Sequence, residues 1–195
     1  MAVELKFGVP ENQKVQLASI AYDAFESKFN KFYGNKNKVI DFMSKNLRND
    51  RTIRAQKNGK TVGFAGLEYK NKGFIDPDFT KTFHVFGVLS PVAFFITKLF
   101  VLANQTKPKE LHLESIAVSK NERGKGIGSK LLQFVLNYAR SKGFSRIVLE
   151  VVDHNRRAKK LYESFGFEQV SVNKIPYPMS FLVGFGSIIQ MDCKL

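Results

Sequence analysis

The chain has 195 residues, 31 Lys and Arg against 17 Asp and Glu for a formal charge of +14, 44% hydrophobic residues and one cysteine, Cys193. That length suits one domain with a real core, and the ordinary apolar and charged fractions exclude a disordered, collagen-like or disulfide-framed chain. The cationic excess invites a nucleic-acid partner, but the basic residues run from Lys28, Lys31, Lys36 and Lys38 to Arg156, Arg157, Lys159 and Lys160 without gathering in one tail, which favours a solvated basic surface over a nucleic-acid site.

The opening Met-Ala-Val-Glu-Leu-Lys lacks the charged and apolar regions of a secretory signal, so a cytoplasmic protein is expected. Val3 to Val9 reads as a strand, and Pro10-Glu11-Asn12 then opens a helix with Ala18, Ala21, Tyr22, Phe25 and Phe29 on one face. Lys38 to Leu47 gives a second helix. Thr52 to Gln56 and Thr61 to Tyr69 read as strands joined at Lys57-Asn58-Gly59-Lys60, where Asn-Gly signals a hairpin.

A long segment follows, Lys70 to Glu110. Its centre, Val85 to Ala103, is apolar enough to raise a membrane span, but Ser90-Pro91 and Lys98 interrupt it and no second span exists, so a partly buried helix is expected. Phe86, Phe94, Phe95 and Phe100 read as core; the sharper reading is a lid or pocket wall, because a long insertion in a compact domain tends to serve function.

Leu111 to Val118 is a β-type run that breaks into a polar turn and then Arg123-Gly124-Lys125-Gly126-Ile127-Gly128, after which Leu131, Leu132, Phe134, Val135, Tyr138 and Ala139 recur at helical spacing. This is a strand, a glycine loop and a helix. Alternating glycines let successive backbone N–H groups converge on an anion at the positive end of the helix, a phosphate-binding arrangement. The dinucleotide fingerprint fails at Ser129, and no Gly-Lys-Ser/Thr follows at P-loop spacing. Ile147 to Val152 then reads as a buried strand, Asn155 to Phe167 as a short helix closed by Gly166, and the tail as a strand, a Pro176-Tyr177-Pro178 interruption and a last strand near Ser187 to Cys193.

From Leu111 to Val170 the chain resembles the GNAT N-acetyltransferase superfamily. Arg123, Gly126 and Gly128 match its Arg/Gln-x-x-Gly-x-Gly/Ala loop, and Asn155, Ala158, Leu161 and Tyr162, followed by Gly166-Phe167, match its Asn-x-x-Ala-x-x-Leu-Tyr helix. The resemblance implies an α/β fold, the GNAT acyl-CoA N-acyltransferase fold, with a central splayed mixed β-sheet flanked by helices. It would occupy residues 1–195 as a single domain with the apolar insertion at about 70–110.

It also implies acetyl-CoA as cosubstrate and a primary amine of a small molecule, peptide or protein as acceptor. The loop from Arg123 through Gly124, Lys125, Gly126, Ile127 and Gly128 to Ser129 would hold the pyrophosphate on its amides, while Arg123 and Lys125 either add charge or remain solvated loop cations. Backbone of Ile116, Ala117 and Val118 would pair with the pantetheine arm, and Asn155 would bond backbone or cofactor, or only cap its helix. Tyr162 matches the tyrosine that protonates the departing thiolate.

Glu114 reads as the candidate general base, on the face of Ile116 two residues away, with a salt-bridged structural role as the alternative. His112, two residues further back, reads as structural or solvent-exposed, and Tyr177 as a surface-turn aromatic. Cys193 reads as a packed thiol instead of an acyl carrier, and the absence of a Cys/His cluster leaves no metal site expected. The rival from another class is an acyl-CoA-binding sensor or interaction module without turnover, against which Tyr162 and Glu114 speak. A further rival is a basic RNA-associated protein, against which the lack of an aromatic RNA-binding motif in this chain speaks. The expected state is a monomer or homodimer without a membrane span.

Overall fold

The computed structural model describes residues 2–33, 35–76, 107–177, 180–181 and 184–195, with backbone alone for 25–33. Strand β1 is Glu4–Phe7, and helices α1, Glu11–Tyr33, and α2, Lys36–Asn46, follow. Strands β2, Thr52–Lys57, and β3, Lys60–Glu68, form a hairpin whose turn residues Asn58 and Gly59 have φ of 52° and 75°. Both lie in the left-handed region that a tight two-residue hairpin requires, and Asn-Gly tolerates it. Then come β4, Glu110–Val118; α3, Ile127–Ser141; β5, Arg146–Val152; α4, Arg156–Glu163; β6, Glu168–Lys174; and β7, Ser187–Lys194.

The strands make one mixed seven-stranded sheet in the order β1-β2-β3-β4-β5-β7-β6, in which only β4 and β5 run parallel. Leu131, Leu132, Val135, Leu136 and Ala139 form the buried stripe of α3, which packs with Tyr162 of α4 on a core of Ile53, Leu67, Leu111, Leu149 and Met191. Leu17, Ala18, Ala21 and Tyr22 of α1 and Val39, Phe42 and Met43 of α2 cover the opposite face around Phe64, Phe74 and Ala117. Each fully buried Leu or Ile contributes about 1.5–3 kcal/mol by leaving water.

Two irregularities shape the centre of this sheet. The parallel register runs from Glu110↔Arg146 to Leu113↔Leu149 and stops. Beyond it β4 stays with β3 as far as Val118↔Gly63, while β5 stays with β7 as far as Val152↔Ile188. The two central strands therefore part company, and among the described residues the edge of β4 that faces β5 has no strand partner from Glu114 onward.

The second irregularity is a bulge. Leu67 pairs with Leu113 and Gly66 with Ser115, so Glu114 is an extra residue on β4. An extra residue reverses the alternation: Leu111 and Leu113 face the α3 core before it, and Ile116 and Val118 face the same core after it. The expectation that Glu114 and Ile116 share a face is thereby corrected, since Glu114 bonds Phe74 in the core on the other side of the sheet.

Residues 77–106, which include Phe86, Phe94, Phe95 and Phe100, lie outside the described residues, so the readings of the apolar insertion as helix, lid or core fall there. The side chains of Phe25 and Phe29 are also outside them. Among the described residues no helix is long and apolar enough to cross a membrane.

Candidate active site

The gap where β4 and β5 part opens into a cleft of about 720 Å³, bordered by β4 from Leu113 to Val118, the loop before α3, β5 from Glu150 to Val152, and α4. Ile116, Ala117, Val118, Arg123, Gly124, Gly126, Ile127, Gly128, Ser129, Asn155, Tyr162 and Glu114 all border it. Of the residues expected there, only Lys125 does not.

The loop is built to receive an anion. Gly124 and Gly126 have φ of 81° and 75°, conformations that glycine adopts without a β-carbon penalty. Gly126 caps α3 without a side-chain hydrogen bond, and the first bond of that helix is donated by Lys130 to the Gly126 carbonyl. Among the described residues, no hydrogen bond is donated by a backbone N–H from Gly124 through Ser129. Such a run of unpaired N–H groups at the positive end of a helix suits phosphate oxygens. A β-carbon at Gly126 would meet nothing within 4 Å, so the loop's outer face is open.

The loop cations are differently engaged. Lys125 donates to the Asn121 carbonyl at 2.8 Å and pairs with Glu122 at 3.2 Å, while Lys57 from β2 reaches the same carboxylate at 3.0 Å. Hydrogen bonds from Lys57 and Lys125 hold the Glu122 carboxyl below its ordinary value. Arg123 borders the cleft with its Nε tied to the Val118 carbonyl at 3.0 Å. These contacts clip the loop to the end of β4.

Tyr162 sits one and a half turns into α4, 6% exposed, with its ring 5.8 Å from that of Phe167. Its hydroxyl makes no hydrogen bond among the described residues, and burial pushes its pKa up to about 12. It is therefore a phenol that stays protonated at neutral pH and is free to donate into the cleft. Asn155 caps α4 by accepting from Ala158 N–H at 3.2 Å, so the capping role is realised at the cleft's edge.

Glu114 projects from the bulge, half-buried, with Oε2 accepting from Phe74 N–H at 2.8 Å. Burial pushes its carboxyl up to about 7, against the Phe74 N–H, which favours the ionised form. On the same face His112 is buried, its Nδ1 3.4 Å from Glu68 Oε2 across the β3–β4 pair. Burial opposes its charge, yet the carboxylates of Glu68, Glu114 and Glu150 outweigh that and raise its pKa. His112 is thus buried, which sets aside the solvent-exposed reading.

Cys193 is a buried free thiol with its pKa raised by burial, and Tyr177 is 83% exposed. Among the described residues no group of His, Cys, Asp and Glu is arranged to hold a metal ion. Glu150 and Arg157 are among the cleft residues that were not singled out from the sequence. Glu150 is the exposed member of β5, and a lone charge inside Ile-Val-Leu-Glu-Val-Val was its available signal. Arg157 borders the cleft from α4 and carried no signal beyond its charge.

Comparison with known proteins gives a consistent picture. Residues 17–167 match the family model described as the acetyltransferase (GNAT) family. The chain is 39% identical over 75 residues to a [ribosomal protein bS18]-alanine N-acetyltransferase of Haemophilus ducreyi, covering 38% of this chain and 52% of that one. It is 40% identical over 65 residues to a thialysine N-epsilon-acetyltransferase of Bos taurus, covering 33% and 38%. The chain thus spans about half, or less, of the length of these curated relatives. Among solved structures it superposes on a GCN5-related N-acetyltransferase from Kribbella flavida with a TM-score of 0.64 at 17% identity, covering 100% of this chain and 98% of that one. The ribosomal-protein-S18-alanine N-acetyltransferase from Escherichia coli follows the same fold, with a TM-score of 0.56 at 17% identity over 99% and 94%.

Proposed function

This chain belongs to the acetyltransferase (GNAT) family, and we propose that it is an N-acetyltransferase that moves the acetyl group of acetyl-CoA directly to a primary amine. The observation that carries this reading is the run of N–H groups from Gly124 to Ser129 that have no partner among the described residues, placed at a cleft that Tyr162 also borders. The thioester supplies an activated acyl group. The chain's own residues bind, orient and move protons.

In this reading the loop amides from Arg123 to Ser129 hold the diphosphate, and the freed edge of β4 at Ile116, Ala117 and Val118 pairs with the amides of the pantetheine arm as an added strand would. That lays the thioester beside the bulge. Tyr162 donates its phenolic proton as charge builds on sulfur, and Glu114, poised near neutral pH, accepts the proton from the attacking amine. Glu150 on the opposite wall adds a second carboxylate, so an amine approaching as a cation meets negative charge in an otherwise basic protein. The two relatives are named for acetylating an alanine of a ribosomal protein and the ε nitrogen of thialysine, both of which are amines. We further propose that residues 1–195 act as one domain, in the cytoplasm, as a monomer or homodimer.

The test is release of CoA thiol from acetyl-CoA across a panel of small primary amines, amino acids and peptides, with acetylated products identified by mass. Amine-dependent thiol release supports the reading. Tight acetyl-CoA binding with no amine-dependent release across the panel would favour a sensor.

A further inference from the structure

The loop amides offer hydrogen bonds to a phosphate, but the countercharge of a diphosphate carrier has to come from side chains. Lys125, which looks like the obvious donor from its place between Gly124 and Gly126, is turned away from the cleft into the Asn121 carbonyl and the Glu122 carboxylate. Lys57 is committed to the same carboxylate. Arg123 is tethered by its Nε to Val118.

Arg157 is different. It rises from the first turn of α4 on the far side of the loop, is exposed, borders the cleft, and forms neither an ion pair nor a hydrogen bond among the described residues. Its Nη2 lies 3.8 Å from the point where a β-carbon on Gly124 would sit, so the guanidinium stands beside the start of the glycine loop. Its planar fork fits two phosphate oxygens at once, and its charge does not titrate in the accessible range.

We infer that Arg157 closes over the phosphates of a bound acyl-CoA, so that α4 and the glycine loop form the two jaws of a phosphate clamp. This rests on the acyl-CoA reading of the cleft. Tyr162 belongs to the same helix, so one rigid element carries both the phosphate contact and the phenol that borders the cleft. The clamp also selects the carrier: it recognises phosphorylated CoA and is indifferent to an acyl-pantetheine that ends before the phosphates.

Titration calorimetry of the full chain with acetyl-CoA, 3′-dephospho-acetyl-CoA and acetyl-pantetheine tests it. Arg157→Ala should weaken acetyl-CoA about tenfold or more, as loss of a charge-assisted contact does, and leave acetyl-pantetheine unchanged. Arg157→Lys should recover part of the loss. Arg156→Ala, which removes an exposed neighbouring charge outside the cleft, should bind like the wild type. If the dephospho form suffers equally from Arg157→Ala, the contact is to the diphosphate; if it is unaffected, the contact is to the ribose 3′-phosphate. An unchanged acetyl-CoA affinity in Arg157→Ala, or an equal loss in Arg156→Ala, overturns the clamp. A wild-type protein that binds no acetyl-CoA overturns the acyl-CoA reading itself and the clamp with it.

Discussion

Leu113 on β4 and Leu149 on β5 are the last registered pair between the two parallel strands, and the strand residues bordering the cleft run from Leu113 and Glu150 onward. Both leucines are buried, at 3% and 0% exposure. The pair is therefore the floor of the cleft: core packing holds the strands together up to it, and the divergence beyond it frees the backbone edge that an extended ligand arm can use.

Leu149→Ala should test that floor. Truncating a fully buried leucine removes its transfer energy and leaves a cavity, so stability should fall by about 2–5 kcal/mol in urea unfolding. Loss of less than about 1 kcal/mol would show that the strands can close over the gap.

Tyr162→Phe keeps the ring and its packing on Phe167 and leaves no partner unpaired, because the hydroxyl bonds nothing among the described residues. Stability and the acetyl-CoA dissociation constant should stay near wild type, while kcat falls about a hundredfold or more, the range that general acid catalysis supplies. Unchanged turnover would assign proton donation to water or another group.

Glu114 gives a pH signature. With its carboxyl near 7, the base form is present above that value, so wild-type kcat/KM should fall as pH drops below about 7. Glu114→Gln should remove this limb, suppress activity most near neutrality, and recover partly at higher pH, where more acceptor amine is already deprotonated. The stability sign is the reverse of an ion-paired acid's. The folded value lies above the ordinary 4.5, so the favourable contribution is complete below 4.5 and is lost as pH rises through about 7. Urea unfolding at pH 5 and pH 8 should show that decline in the wild type and a smaller one in Glu114→Gln.

Gly126→Ala places a β-carbon on a residue at φ 75°, at a strain cost of about 1–2 kcal/mol. The added carbon meets no atom of the described residues within 4 Å, and Gly126 borders the cleft, so the strain falls on the loop whose amides would receive the phosphate. The variant should fold with a modest loss of stability and bind acetyl-CoA markedly more weakly in calorimetry. Affinity equal to wild type would place the phosphates elsewhere.

Much of this architecture is legible in the sequence because the signals are local. Asn58-Gly59 specifies the hairpin, the Leu131 to Ala139 stripe specifies α3, and the alternating glycines specify the loop. The bulge is not legible. A strand of regular alternation and one with an extra residue at Glu114 read alike, since only pairing with Gly66 and Leu67 reveals which residue is surplus. The Glu68–His112 contact spans 44 residues and depends on that register. The placement of the cations is not legible for a similar reason: adjacency to the glycines in sequence does not decide which cation borders the cleft, since Lys125 pairs with Glu122 while Arg157 on α4 lines it.

The central claim, that the cleft between β4 and β5 is an acyl-CoA site, is tested most directly by thermal unfolding with added ligand. A ligand that binds only the folded state raises Tm by mass action. Acetyl-CoA at millimolar concentration should raise the Tm of the wild-type protein and NADH, which also carries a diphosphate, should not. No shift with acetyl-CoA, or an equal shift with NADH, would contradict the account.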